Sequence, residues 1–146
     1  PPKAIFLSHF FEWSVFLTRK IAQENGLKIP EKPKTGSHAF SDIDDEFLVT
    51  VHHWLKWYKF GFTRTWDNLS LEIRSGKLSR KDAINRLISD PDKIPYKQIE
   101  LFCEYIGISK KEFFNTADNF RNPSVWYKDL SLNWVIKKPL HINLNK

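Results

Sequence analysis

The 146 residues make one domain at ordinary domain sizes, and 41% hydrophobic with 15% aromatic and 27% charged residues is enough to bury a core, which excludes wholesale disorder. Twenty-three basic against 17 acidic residues give +6, so nucleic acid, acidic membrane and phosphorylated small molecules are the partner classes that charge favours, without choosing among them. No apolar run reaches the ~18 residues of a membrane span, since even Phe47 to Phe62 is cut by His52, His53, Lys56 and Lys59.

In chain order, Ala4 to Ser8 is a short apolar run that reads as a strand. A lone strand is marginal without a sheet, so the chain is expected to open at the edge of something larger. Trp13, Phe16, Leu17 and Ile21 follow helical spacing, with Gly26 as the stop. Residues 27–40 hold Pro30, Pro33, Gly36 and three lysines, a connecting loop. Ser41 with Asp44 resembles a capping box for a long amphipathic helix whose stripe is Phe47, Val51, Trp54, Leu55 and Tyr58, broken at Gly61. A further helix is expected over Trp66 to Ser75, with Trp66, Leu69 and Ile73 inward and Gly76 at its end.

Three helices then follow between Ser79 and Phe120. Ser79 and Asp82 cap the first, which turns Ala83, Ile84, Leu87 and Ile88 inward. Pro95 sits in the first turn of the second, with Ile99, Phe102, Cys103 and Ile106 inside and Gly107 as the stop. Ser109 and Glu112 form a capping box for the third, which buries Phe113, Phe114, Ala117 and Phe120. Val125 to Lys128 and Trp134 to Lys137 flank a polar turn and can pair as a hairpin. The expected fold is mainly α, a bundle of five or six short helices with one N-terminal strand and a C-terminal hairpin. Residues 1–26 read as the end of a core α/β domain, 27–40 as a loop and 41–146 as a helical domain.

The segment Lys59 to Gly76 carries the candidate site. On a helix Asp67, Ser70, Leu71 and Arg74 share one stripe at the rim of the core, with Lys59 and Arg64 preceding it. Lys59, Arg64, Asp67, Ser70 and Arg74 are the substrate-binding candidates, because a guanidinium fork and an ammonium can together grip a phosphate or sugar hydroxyl. The competing reading is an ionic network that merely joins helices. His52 and His53 are adjacent and point about 100° apart on a helix, which argues against a shared metal. His9 lies just past the expected strand, where ligand contacts collect in α/β sheets, but a surface histidine is the simpler reading. The single Cys103 excludes an internal disulfide and reads as a core residue, and a reducing cytoplasm is the expected compartment. Ile106-Gly107-Ile108-Ser109, followed by Lys110 and Lys111, resembles the turn of a helix-turn-helix. The mixed face set by Glu112, Asp118 and Asn119 favours an ordinary helical hairpin, so nucleic acid is not the expected partner.

Through Trp54-Leu-Lys56-Trp-Tyr58-Lys59-Phe60-Gly61, Arg64-Thr65, Ser70-x-Glu72-Ile-Arg74-x-Gly76 and Ser79-Arg80-Lys81-Asp82-Ala83, the chain resembles the C-terminal part of the N-acetyl sugar amidotransferases. These are PP-loop ATP pyrophosphatase-group enzymes of surface-polysaccharide assembly. The opening Ile5-Phe-Leu-Ser8 with Phe11-Glu-Trp13 and the tail Tyr105-Ile-Gly107-Ile-Ser109-x-x-Glu112-Phe113 extend the likeness over most of the chain. The resemblance implies conversion of a sugar acetamido group to acetamidino on a nucleotide-linked or related N-acetyl sugar in lipopolysaccharide, O-antigen or related glycan synthesis. It implies activation of the amide oxygen with ATP and Mg2+, and ammonia from a glutaminase subunit. The family's Ser-Gly-Gly-Lys-Asp-Ser segment and paired cysteines do not occur here. The ATP site is therefore expected outside this chain, which reads as a fragment, inactive alone, of a larger α/β enzyme. The runner-up reading is a basic helical module for nucleic acid or protein partners. The two differ in whether positive charge enters a pocket at Arg64 and Arg74, or covers an outer face with Lys77, Arg80, Lys81, Lys110 and Lys111.

Overall fold

The computed structural model describes residues 2–41, 47–89 and 93–138. Six helices run in order, α1 (Val15–Glu24), α2 (Leu48–Phe60), α3 (Arg64–Arg74), α4 (Arg80–Ser89), α5 (Tyr96–Ile106) and α6 (Lys110–Asn119), followed by strands β1 (Trp126–Lys128) and β2 (Trp134–Ile136). The mainly helical architecture and the C-terminal hairpin expected from the sequence are both present. The strands are antiparallel, with Trp126 opposite Ile136 and Lys128 opposite Trp134.

The punctuation is chemical. Ser14 accepts from the Leu17 amide and Ser109 from the Glu112 amide, each satisfying a free N–H of its helix. Gly61 and Gly107 follow α2 and α5 in the left-handed conformation (φ 72° at both) that glycine adopts without steric cost. Ser79 receives the Asp82 amide at 3.1 Å at the start of α4. The capping box expected at Ser41 and Asp44 lies outside what the structure describes.

The core lies between α2, α5 and α6, where Val51, Ile99, Cys103 and Phe113 are buried and Trp54, Leu55, Phe102 and Phe114 pack around them. Cys103 is 3% exposed, the core residue expected of it. The hairpin closes the far end of α2. Buried Trp126 donates from Nε1 to the Tyr58 carbonyl at 2.8 Å, and the Arg121 guanidinium lies 4.0, 4.5 and 5.0 Å from the ring centres of Tyr58, Trp126 and Trp134. A cation held against three aromatic faces and paired with Asp118 at 2.8 Å joins α2, α6 and the hairpin. Gly61 is essential to that closure, because a β-carbon there would come within 2.7 Å of Val125.

Five expectations need correction. The strand over Ala4–Ser8 is absent: the chain is irregular up to a single 3-10 turn at Leu7–His9. The pairing strand it would need does not occur among the described residues, and Ile5, Phe6, Leu7, Phe10, Phe11 and Trp13 are all exposed. On α1 the supposed inner residues Leu17 and Ile21 are 42% and 51% exposed; the helix is tied down instead by Phe16, whose ring meets His38 and Phe40 edge-on. Helix α3 begins at Arg64, two residues early, so Arg64 belongs to its first turn, and Pro95 is the N-cap of α5 and not part of its first turn. Finally Ile88, Ile106 and Phe120 are exposed, each at or near the end of its helix and beyond the reach of neighbouring elements.

Phe113 is 5% exposed and meets Phe102 and Phe114 edge-on. Phe113→Ala is expected to cost about 3–5 kcal/mol in chemical denaturation, the usual range for emptying an aromatic site. A loss under about 1 kcal/mol would mean that the site collapses around the smaller side chain.

Candidate functional site

The site grows from an unusual face of α3. Amphipathic spacing expects Trp66, Leu69 and Ile73 inside, yet the buried residues are Asn68, Leu69 and Glu72. Two polar side chains on the inner face need partners, and they find them in the 27–40 loop and in α4. With its carboxamide turned to satisfy both ends, Asn68 accepts from the Ser37 amide at 3.1 Å and donates to the Arg64 carbonyl at 3.3 Å. Gly36 (φ 72°) makes the approach possible, since a β-carbon there would lie 2.7 Å from the Asn68 amide and 3.0 Å from Arg64 Cγ. Thr35 Oγ1 meets His53 Nδ1 of α2 at 3.0 Å, so the loop is fixed on two sides.

Glu72 does the same for α4. Its Oε2 accepts from Arg86 Nη1 at 3.3 Å, and His38 Nε2 lies 2.9 Å from its Oε1. The His38 ring stacks on Phe40 with centres 4.9 Å apart, and Arg19 of α1 covers Phe40 from 5.1 Å. Burial pushes His38 below its usual range, against the pull of Glu72; Arg19 and Arg86 add to the lowering.

Loop, α2, α3, α4 and the start of α5 thereby enclose a cleft of about 630 Å3, within the roughly 300–1,000 Å3 of small-molecule sites. Trp54, Leu69 and Ile94 give it apolar walls, and four cations, Lys34, Arg64, Arg86 and Lys93, line it with no carboxylate among the described lining residues. Two of its polar atoms, Arg64 Nε and Ser37 Oγ, are buried without a hydrogen-bond partner in the protein. Such an arrangement suits an anionic, hydroxyl-bearing ligand with one less polar face.

The structure brings some of the sequence-derived candidates together and separates others. Asp67 pairs with Lys56 of α2 and lies 3.8 Å from Arg64, so these two meet, and they meet at a joint between α2 and α3. Arg64 alone of the five lines the cleft. Ser70 is exposed and returns its hydroxyl to the Trp66 carbonyl; exposed Arg74 donates to the Ser70 carbonyl at 3.3 Å on its own helix. Lys59 is exposed beside the Phe60 ring. Of the outer charges, Lys110 donates to Glu100 at 2.7 Å, which binds α5 to α6 as in an ordinary helical hairpin. His52 is exposed while half-buried His53 turns to the loop, and no group of three metal-ligating side chains forms among the described residues. Lys34, Ser37, Arg86 and Lys93 were not singled out by sequence reasoning. A lysine and two hydroxyl residues around Gly36 were the available signal for the first two; nothing local marks Arg86 or Lys93.

Fold and cleft together define a small helical domain closed by a hairpin, with a cation-lined cleft on one side. Residues 37–140 match the family described as LPS biosynthesis protein WbpG-like, C-terminal domain, and the chain belongs to that family of lipopolysaccharide biosynthesis proteins. No curated protein matches it.

Because folded His38 holds its proton less tightly than the unfolded chain does, the unfolded state takes up the proton first as pH falls. The contribution is full above about pH 6.5 and declines below it. Melting temperatures measured across that range should fall more steeply for the wild type than for His38→Gln. Parallel curves would show that Glu72 cancels the effect of burial.

Proposed function

We propose that this chain is the substrate-holding C-terminal domain of an ATP-dependent N-acetyl sugar amidotransferase, which converts an acetamido group to acetamidino on a nucleotide-linked or related sugar during lipopolysaccharide or O-antigen assembly. The observation that carries the reading is the cleft: four cations, no described carboxylate, and two dry, unpartnered polar atoms at Arg64 and Ser37, in a chain of a lipopolysaccharide biosynthesis family. Phosphates of a nucleotide sugar would lie against Arg64, Arg86 and the lysines, and the less polar face of a sugar or base against Trp54. Lys59, Ser70 and Arg74 lie outside the cleft lining and are exposed, so they would contact only a substrate that extends beyond the cleft.

ATP and Mg2+ activate the amide oxygen, a poor leaving group, in the parent enzyme. We assign their site to a part of the parent enzyme outside this chain, whose sequence has no glycine-rich phosphate loop. Ammonia comes from a glutaminase partner in the cytoplasm. Exposed Ile5, Phe6, Phe10 and Phe11, with the bare face of α1, are assigned to contacts with the core α/β domain.

The test is turnover of the full-length parent. Arg64→Ala should lower kcat/KM by roughly 10- to 100-fold, about 1.4–2.7 kcal/mol, because a fixed guanidinium on a phosphate is worth more than the ~1 kcal/mol of an exposed ion pair. Arg64→Lys keeps the charge, loses the fork and should fall between. Unchanged turnover with lowered stability would make Arg64 a strut between helices. Nucleic-acid binding with a steep salt dependence, lost on substituting exposed Arg80, Lys81 and Lys111, would favour the basic binding module instead.

A further inference from the structure

The tip of the hairpin, Asp129-Leu130-Ser131-Leu132-Asn133, has chemistry that neither the core nor the cleft uses. It folds on its own polar atoms. Asp129 Oδ1 accepts from the amides of Ser131 and Asn133, both at 2.9 Å, and the Leu132 amide donates to the Asp129 carbonyl at 3.0 Å. The leucines contribute little packing: Leu130 is 106% and Leu132 75% exposed.

Leu132 also stands in the wrong conformation for its side chain. Its φ of 62° makes it the one described non-glycine residue in the left-handed region, where glycine or asparagine sits with least strain. The fold alone would be better served by a smaller residue. A large, mostly exposed apolar side chain at a strained apex points to a role for it outside the fold.

The surroundings say what that is. Lys128, Lys137 and Lys138 are exposed behind the tip, and the hairpin's one carboxylate, Asp129, is turned onto the turn amides. Lys128 and half-buried Trp134 face each other directly behind the tip, Tyr127 lies one pair further back, and Lys137, whose Nζ also donates to the Pro123 carbonyl at 2.6 Å, and Lys138 lie at the base. Leucines in front, with aromatic rings and ammonium groups mixed behind them, suit a bilayer surface, where the acyl boundary lies under an interfacial level that takes rings and anionic headgroups that take cations. Two side chains are a small patch against the ~800 Å2 per partner of a stable protein interface.

We propose that the 129–133 tip dips into the surface of an anionic lipid bilayer, with Lys128, Lys137 and Lys138 on the headgroups, and so holds the domain peripherally on the membrane. No helix among the described residues is long and apolar enough to cross one, so the contact is superficial. It does not depend on the sugar chemistry.

Co-sedimentation of the 146-residue chain with vesicles tests it. Partition should be stronger onto phosphatidylglycerol mixed with phosphatidylcholine than onto phosphatidylcholine alone, and should weaken with salt. Leu130→Ser with Leu132→Gly should reduce partition at least about tenfold, since two apolar insertions are lost. Leu132→Gly alone should reduce partition while raising the melting temperature by a few degrees, because the backbone strain is relieved. The proposal is overturned by undiminished partition of the double variant, by indifference to phosphatidylglycerol, or by a lowered melting temperature for Leu132→Gly, which would show that the leucine serves the fold. Loss of self-association in light scattering, with vesicle binding unchanged, would overturn it in favour of a contact between copies of the chain.

Discussion

Glu72 is the buried charge around which the cleft is assembled. Its side chain is 9% exposed, and a carboxylate that dry is tolerated only beside cations or donors. One such group, Arg86, comes from α4; the other, His38, comes from the loop before α2. Satisfying one residue therefore fixes two walls of the cleft relative to α3. Asn68, one turn earlier, repeats the logic with a backbone amide in place of a side chain. Arg86 and Arg64 line the cleft while the carboxylates they approach, Glu72 and Asp67, are not among its described lining residues, so the described lining carries cations and no carboxylate.

The other end of the molecule is held by a different kind of force. Arg121 sits among Tyr58, Trp126 and Trp134, where ring faces supply the negative potential and Asp118 supplies the counter-charge. Such a contact tolerates no exchange for lysine on geometric grounds, because only the planar guanidinium can lie flat on several rings at once. It lets a two-stranded ribbon, marginal alone, stay ordered on a helical base. The hairpin's free end can then project into solvent without loss of register.

Helices, stops and the hairpin were legible because they depend on local rules. Gly61 and Gly107 end α2 and α5, Ser109 starts α6, and Val51, Ile99 and Phe113 obey helical periodicity. The site was legible only in part. Arg64 was named and does line the cleft, whereas Ser70 and Arg74 lie on the exposed stripe that their spacing described, bound to their own backbone. Asn68 and Glu72 could not be told from surface residues, since the same side chains serve both places and only a distant partner decides. Arg86 and Lys93 reach the cleft through tertiary packing that no window of sequence contains. The absent strand at Ala4–Ser8 shows the converse: a short apolar run indicates a strand only if another strand is there to receive it.

The wall of the cleft formed by residues 33–38 has no regular secondary structure, yet contacts from His53, Asn68 and Glu72 anchor it at three successive points. An irregular segment that closes on its ligand must surrender backbone entropy at that moment, on the order of 1 kcal/mol or more per residue, and the affinity observed is what remains. Here three contacts already hold the segment when the cleft is empty, so less of that entropy is left to lose on binding. Under the proposed function, discrimination between two sugars differing in one substituent would then rest more on fit than on a loop that reshapes to accept either.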